Sequence, residues 1–191
     1  MSAERIKNAA LLRFAAQGYD ATSLAEIAGD VGIKTPSIYA HFSSKQDLFR
    51  QLVGYASGLE LAEIRACLHR PDPVRSVLRE YFYGTAARFG SAPHLRFWLR
   101  SLYLPPQALV AEITVHDREF AAALEAIVLA ALRHPERGVL RPSLPHETVA
   151  AAFIGMLRGV HAELLYCGGE GSAKALGAMW MVFEKSLDEI G

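Results

Sequence analysis

The chain has 191 residues, 51% of them hydrophobic and 21% charged, a composition that can bury a core and excludes a disordered or low-complexity polymer. Twenty Lys and Arg balance twenty Asp and Glu, so global charge draws the chain neither to nucleic acid nor to an acidic membrane. Any such partner must be held by a local surface. The two cysteines, Cys67 and Cys167, lie in no paired motif, and the opening MSAERIKNAA has no apolar signal core. The apolar run FAAALEAIVLAALRH is interrupted by Glu125 and is too short to span a bilayer. These features predict a soluble, cytoplasmic chain.

Helical periodicity dominates, and no stretch alternates as a strand does. Ile6, Ala10 and Phe14 recur every fourth residue in a helix over 4–17, which stops at Gly18, a residue suited to a left-handed cap. Ser23 with Glu26 has capping-box spacing for a short helix at 24–30. Thr35 followed by Pro36 reads as an N-cap with proline at the first helical position. Ser44 with Asp47 repeats the box for a helix running to about Leu68. PDP at 71–73 opens a helix to about Phe89, and Ser91 to Pro93 opens the next, which ends at Leu104 before two prolines. A long amphipathic helix is expected over 106–133, then a turn-rich HPERGVLRPSLP, then a helix from Pro145 to about Cys167. CGGEG breaks the chain, and Ser172 starts a last helix to about Glu189. The expected fold class is all-α, with nine helices, three short and six longer.

The segment LAEIAGDVGIKTPSIYAHF carries the most specific spacing. Ala28, Gly32 and Ile38 stand at offsets 0, 4 and 10, as two steeply crossing helices require: a small residue at the crossing, a glycine in the turn, an apolar anchor on the second helix. Projected at 100° per residue, Ile38 and Phe42 share the inward face, while Pro36, Ser37 and Ala40 lie opposite with Tyr39 and His41 on the flanks. That outward face is small enough to enter a major groove. Ser37 can bond a base edge or phosphate, Pro36 and Ala40 can touch thymine methyls, and Tyr39 reaches phosphate. Lys45 sits in the first turn of its helix and Lys34 just precedes another. A cation there is disfavoured by the helix dipole by about 0.3–1 kcal/mol, and a bound phosphate would reverse the sign. The first 50 residues hold six Lys and Arg against five Asp and Glu, so binding should be local rather than a general attraction.

The run GYDATSLAEIAGDVGIKTPSIYAHFSSKQDLF resembles the N-terminal signature of the TetR family of regulators, through Gly18-Tyr19, Thr22 to Glu26, Ile27-Ala28, Gly32, Tyr39, His41-Phe42, Lys45 and Leu48. The likeness covers about a quarter of the chain. Arg13 departs from the family's apolar pattern, and the expectation is that it turns to the surface while Leu11 and Leu12 fill the core. The resemblance implies a helix-turn-helix DNA-binding domain at 1–48 and a helical effector-binding and dimerisation domain at 49–191. It implies a homodimeric repressor on a near-palindromic double-stranded operator, released when a small molecule enters the C-terminal domain. Carried over by position, Thr35, Pro36, Ser37, Tyr39, Ala40 and His41 fall in the recognition helix. Lys45 falls at the phosphate-contacting start of the fourth helix, and Thr22 or Ser23 at that of the second.

In the remaining chain, Ala151, Gly155, Gly159 and Ala162 form a stripe on one helix, with Gly177 and Trp180 on the last. A helix-interior glycine costs about 0.5–1 kcal/mol relative to alanine, so the stripe points to close backbone approach, either across a dimer interface or within one subunit. Phe82, Phe97, Trp98, Phe120, Phe153 and Met156 are core residues or line a pocket for an apolar or aromatic effector, with His116 or His161 as a polar handle. No cofactor and no metal site is expected, because the seven histidines and two cysteines form no ligand-spaced cluster. His146-Glu147 begins like a zinc-protease motif, but Ala150 stands where the second histidine is needed. CGGEGSAK lacks the spacing of a phosphate loop. The reading is therefore not an enzyme; the alternative is an all-α small-molecule-binding protein or enzyme that does not bind DNA.

Overall fold

The computed structural model describes residues 3–134, 144–168 and 172–187. Among these residues there are nine α-helices, one 3-10 turn and no strand: α1 Ala3–Gln17, α2 Leu24–Val31, α3 Pro36–Tyr39, α4 Lys45–Leu68, α5 Val74–Phe89, α6 Pro93–Tyr103, α7 Val110–Leu132, α8 His146–Cys167 and α9 Ser172–Lys185. The 3-10 turn, Gln107–Leu109, precedes α7, which therefore starts later than 106. The last helix ends at Lys185, short of the expected Glu189, with hydrogen bonds from Ser186 and Leu187 closing its final turn. Most of the expected turn HPERGVLRPSLP, and the last three residues of CGGEG, lie outside the described residues.

Two compact units divide the chain. The first comprises residues 1–60 and 90–116, the second 61–89 and 117–191. The boundary expected at 48 falls inside α4, and the N-terminal unit also takes in α6. Side chains account for this: Phe97 of α6 is fully buried and its ring lies 5.2 Å from Phe49 and 6.1 Å from Phe14. Ile6, Ala10 and Phe14 of α1, Ile27 and Ala28 of α2, Ile38 of α3 and Leu48 and Leu52 of α4 complete this core.

Gly18 is fixed by its backbone. Its φ of +84° is left-handed, where an L side chain is disfavoured by roughly 1–2 kcal/mol. Leu11 is buried as expected, but Leu12 is 55% exposed; one helix face admits only one of two adjacent residues.

In the second unit α8 presents Val149, Ala150, Phe153, Leu157, Val160 and Leu164 inward. It packs against α9, whose Leu176, Trp180 and Phe183 are buried at helical spacing, and against α5. Truncating Phe153, fully buried beside Phe183, would cost about 3–5 kcal/mol. By length and composition α8 is also the one described helix apolar enough to cross a membrane, a property the sequence reading had not noticed. Part of its apolar surface is buried in this core.

Candidate nucleic-acid interface

The scaffold is built by α2, a glycine turn and α3. Ser23 caps α2 in a complete capping box: the Glu26 amide donates to Ser23 Oγ at 3.2 Å, and the Glu26 carboxylate accepts from the Ser23 amide at 2.8 Å. Gly32 ends α2 at φ +72°, and the next amide, Ile33, donates to the Ala28 carbonyl at 2.9 Å. This is the six-to-one closure of a Schellman turn, which turns the chain sharply into α3. Ile38 and Phe42 are buried beneath it. Pro36, Ser37, Tyr39, Ala40 and His41 are all exposed, Tyr39 to 57%, so the projected outward face is the observed one.

Thr35 does not cap. Its backbone is already helical, at φ −49° and ψ −40°, and its hydroxyl makes no cap bond. The second expected box is split between neighbours. The Asp47 amide donates to Ser44 Oγ at 3.0 Å, while the Asp47 carboxylate accepts from the amide and hydroxyl of Ser43. Gln51 and Ser43 together hold that carboxyl below its usual range.

Three expected phosphate contacts change meaning. Lys45 does not wait for an anion: its ammonium donates to the carbonyls of Tyr19 and Thr22, each at 2.9 Å, and sits 4.0 Å above the Tyr19 ring. The α1–α2 connection supplies the negative partner that was expected from DNA. Thr22 is buried, with its hydroxyl donating to the Gly18 carbonyl at 2.7 Å and accepting from Gln17 at 3.2 Å. The Ser23 hydroxyl is engaged with Glu26. Lys34 stays exposed, and among the described residues its ammonium has neither hydrogen-bond nor ion-pair partner.

The sequence reading also left Arg13 without a role. Its guanidinium forks to Glu26 and Asp30, one helical turn apart on α2. Hydrogen bonding to Arg13 holds the Asp30 carboxyl below its ordinary range, and the Ser23 amide and hydroxyl, helped by Arg13, do the same for Glu26. Two carboxylates near the candidate DNA surface are thus partly neutralised. The signal was available: paired acids at i and i+4 on an exposed helix face ask for a cation.

The expected effector residues fall into both units. Phe97, Trp98 and His116 belong to the first. Phe97 is core under α1, and His116 bonds Ser57 across 2.7 Å with the Trp98 ring edge-on at 5.6 Å. His116 also borders a cavity of about 190 Å³ with Arg50, Val53, Leu109, Glu112 and Ile113. Phe82, Phe120, Phe153, Met156 and His161 belong to the second. Phe82 packs on Trp180 at 5.7 Å, and both it and Phe153 are core. His161 is pushed down to about 4 by burial, with Arg158 and Arg88 adding to the effect.

Of the expected interface residues, Trp180 is buried against Phe82, Tyr83 and Phe183, which removes it from any outward face. At Gly159 a Cβ would make van der Waals contact with Met179 Cε, at 3.4 Å. Gly155 and Gly177 face open space, Ala151 is exposed, and Ala162 is half-buried. Gly155, Gly159 and Met156 line a shallow apolar concavity of about 590 Å³ with Ala152, Ala178 and Val182. Val182 is 75% exposed.

Comparison with known proteins bears on residues 6–52, which match the family described as bacterial regulatory proteins, tetR family. The chain is 35% identical over 86 residues to the HTH-type transcriptional repressor BdcR of Escherichia coli, covering 45% of this chain and 44% of that protein. It is 42% identical over 90 residues to the biofilm operon icaADBC HTH-type negative transcriptional regulator IcaR of Staphylococcus aureus, covering 45% and 48%. These matches span less than half the length of either relative. Over nearly the whole chain the fold is that of the fatty acid degradation regulator FadR from Bacillus halodurans, with TM-score 0.71 at 17% identity, covering 94% and 93% of the two chains.

Proposed function

We propose that the chain, whose residues 6–52 match the tetR family of bacterial regulatory proteins, is a cytoplasmic, sequence-specific transcriptional repressor that reads double-stranded DNA with α3. One observation carries the reading. Along 22–44 the hydroxyls of Thr22, Ser23, Ser43 and Ser44 are all engaged within the chain. Those of Thr35, Ser37 and Tyr39 on and beside α3 are engaged by nothing among the described residues. Free polar groups are thus gathered on one exposed turn whose backbone is fixed from below, with exposed Lys34 beside it. Sequence is read by such side chains at base edges, while cations and hydroxyls at the margin set register on phosphate.

A single turn of four residues reads few bases, so the protein acts as a homodimer on a near-palindromic operator. The apolar concavity on α8 and α9 supports that pairing, since glycines with open space before them allow close approach of a second backbone. Release follows binding of an apolar or aromatic small molecule in the second unit. His161, held neutral by burial with Arg158 and Arg88 nearby, suits a hydrogen bond to it.

The test is a mobility shift of the full chain on DNA flanking its own gene, against random duplex of equal length. The expected outcome is a specific complex at least 10³-fold tighter than the random one. Equal affinity for the two duplexes would overturn the reading.

A further inference from the structure

The chemistry of the exposed α3 face limits which base pairs it can recognise. Guanine is read most often by Arg or Lys reaching O6 and N7, and adenine by Asn or Gln reaching N6 and N7. None of these residue types stands among Pro36, Ser37, Ile38, Tyr39, Ala40 and His41. The one exposed cation nearby, Lys34, precedes the helix, and Lys45 has its ammonium fixed on the Tyr19 and Thr22 carbonyls. What α3 offers at the centre of its outward face is the Pro36 ring, the Ala40 methyl and the uncommitted Ser37 hydroxyl, with Tyr39 and His41 at the margins. Ala40 continues the turn with φ −69° and ψ −15°, so its methyl projects beside Pro36, one helical turn earlier. The matching feature of the major groove is the thymine 5-methyl group, the one apolar group a standard base pair presents there.

We propose that α3 recognises its half-site mainly through thymine methyl groups packed on Pro36 and Ala40, with Ser37 making the base-edge hydrogen bond, so that the contacted steps are T·A pairs. This rests on the reading of α3 as the DNA-binding turn. The protein then distinguishes sequence by methyl packing and groove shape rather than by bidentate hydrogen bonds.

Duplexes selected from a random pool with the full chain test both statements separately. At each enriched thymine, deoxyuridine removes only the methyl, and 5-methylcytosine restores a methyl on a G·C pair. Removing one packed methyl should weaken binding about fourfold, and removing the symmetry-related pair about fifteenfold. A T-to-C exchange should be partly rescued by 5-methylcytosine. In Ala40→Gly protein the deoxyuridine penalty at the contacted thymine should shrink, leaving only the share contributed by Pro36. An enriched sequence insensitive to deoxyuridine at every position, with losses confined to 7-deazaguanine, overturns the methyl readout while leaving DNA binding intact. A pool that yields no enriched sequence overturns both.

Discussion

The α3 turn and the outer face of α8 and α9 both expose groups without partners among the described residues, yet the groups differ in kind. On α3 they are hydroxyls, a proline ring and one methyl on a four-residue turn pinned by Ile38, Phe42 and the Gly32 closure. On α8 and α9 they are glycines, alanines and Val182 around a broad concavity. A small, stiff, mixed surface suits a groove with a donor and acceptor pattern, whereas a wide apolar one suits another apolar surface. What a surface leaves unsatisfied indicates the chemistry of its partner.

The largest effect should come from breaking the second surface while leaving the first intact. Val182→Glu places a charge on the concavity at a site 75% exposed, where the isolated subunit tolerates it. Sedimentation should show monomers at micromolar concentration, and operator affinity should fall about 10²–10⁴-fold through lost bivalency. An unchanged dimer would mean that pairing uses another face.

Lys45→Met separates support from contact at the first surface. Losing two charge-assisted bonds to the α1–α2 connection should cost about 1.5–3 kcal/mol in denaturant unfolding, with the salt slope of DNA binding unchanged. The reverse pattern, stability kept and slope reduced, would return Lys45 to the phosphate contacts.

A smaller effect is expected of His161, half-buried on α8. Its pKa is lowered to about 4 in the folded chain, so the unfolded chain binds more protons between pH 4 and 6.5. Stability should therefore fall as pH drops, by about 2 kcal/mol from pH 7 to pH 5. His161→Gln should abolish that portion of the slope, and an unaltered slope would show that the imidazole is not desolvated.

The smallest change is expected from Lys34→Ala. It should leave stability alone and lower the salt slope by about 0.9 per protomer. An unchanged slope would exclude Lys34 as a phosphate contact.

How far these features were legible depended on range. The outward face of α3 follows from two buried residues and a 100° step, so a projection from Ile38 and Phe42 found Pro36, Ser37 and Ala40 correctly. The role of Lys45 did not follow, because its partners, the carbonyls of Tyr19 and Thr22, lie 26 and 23 residues away. Local dipole reasoning saw an unfavourable cation where the fold supplies two acceptors. The bonds of Thr22 and Ser23 did not follow either, since sequence shows a hydroxyl but not whether it is already engaged. On α8, spacing marked Gly155 and Gly159 alike, and only Met179 distinguishes the filled glycine from the open one. Aromatic spacing likewise identified buried rings, but not whether each meets a cavity or another ring, as Phe97 and Phe153 do.

The central claim, that paired copies of α3 read a defined sequence, is tested most directly by fluorescence anisotropy of the full chain against three duplexes. These are the selected two-fold operator, one half-site of it, and a scrambled sequence of the same composition. The account predicts at least two protomers on the operator, affinity about 10²-fold weaker on the half-site, and only salt-sensitive weak binding to the scramble. Equal affinity for all three would contradict it.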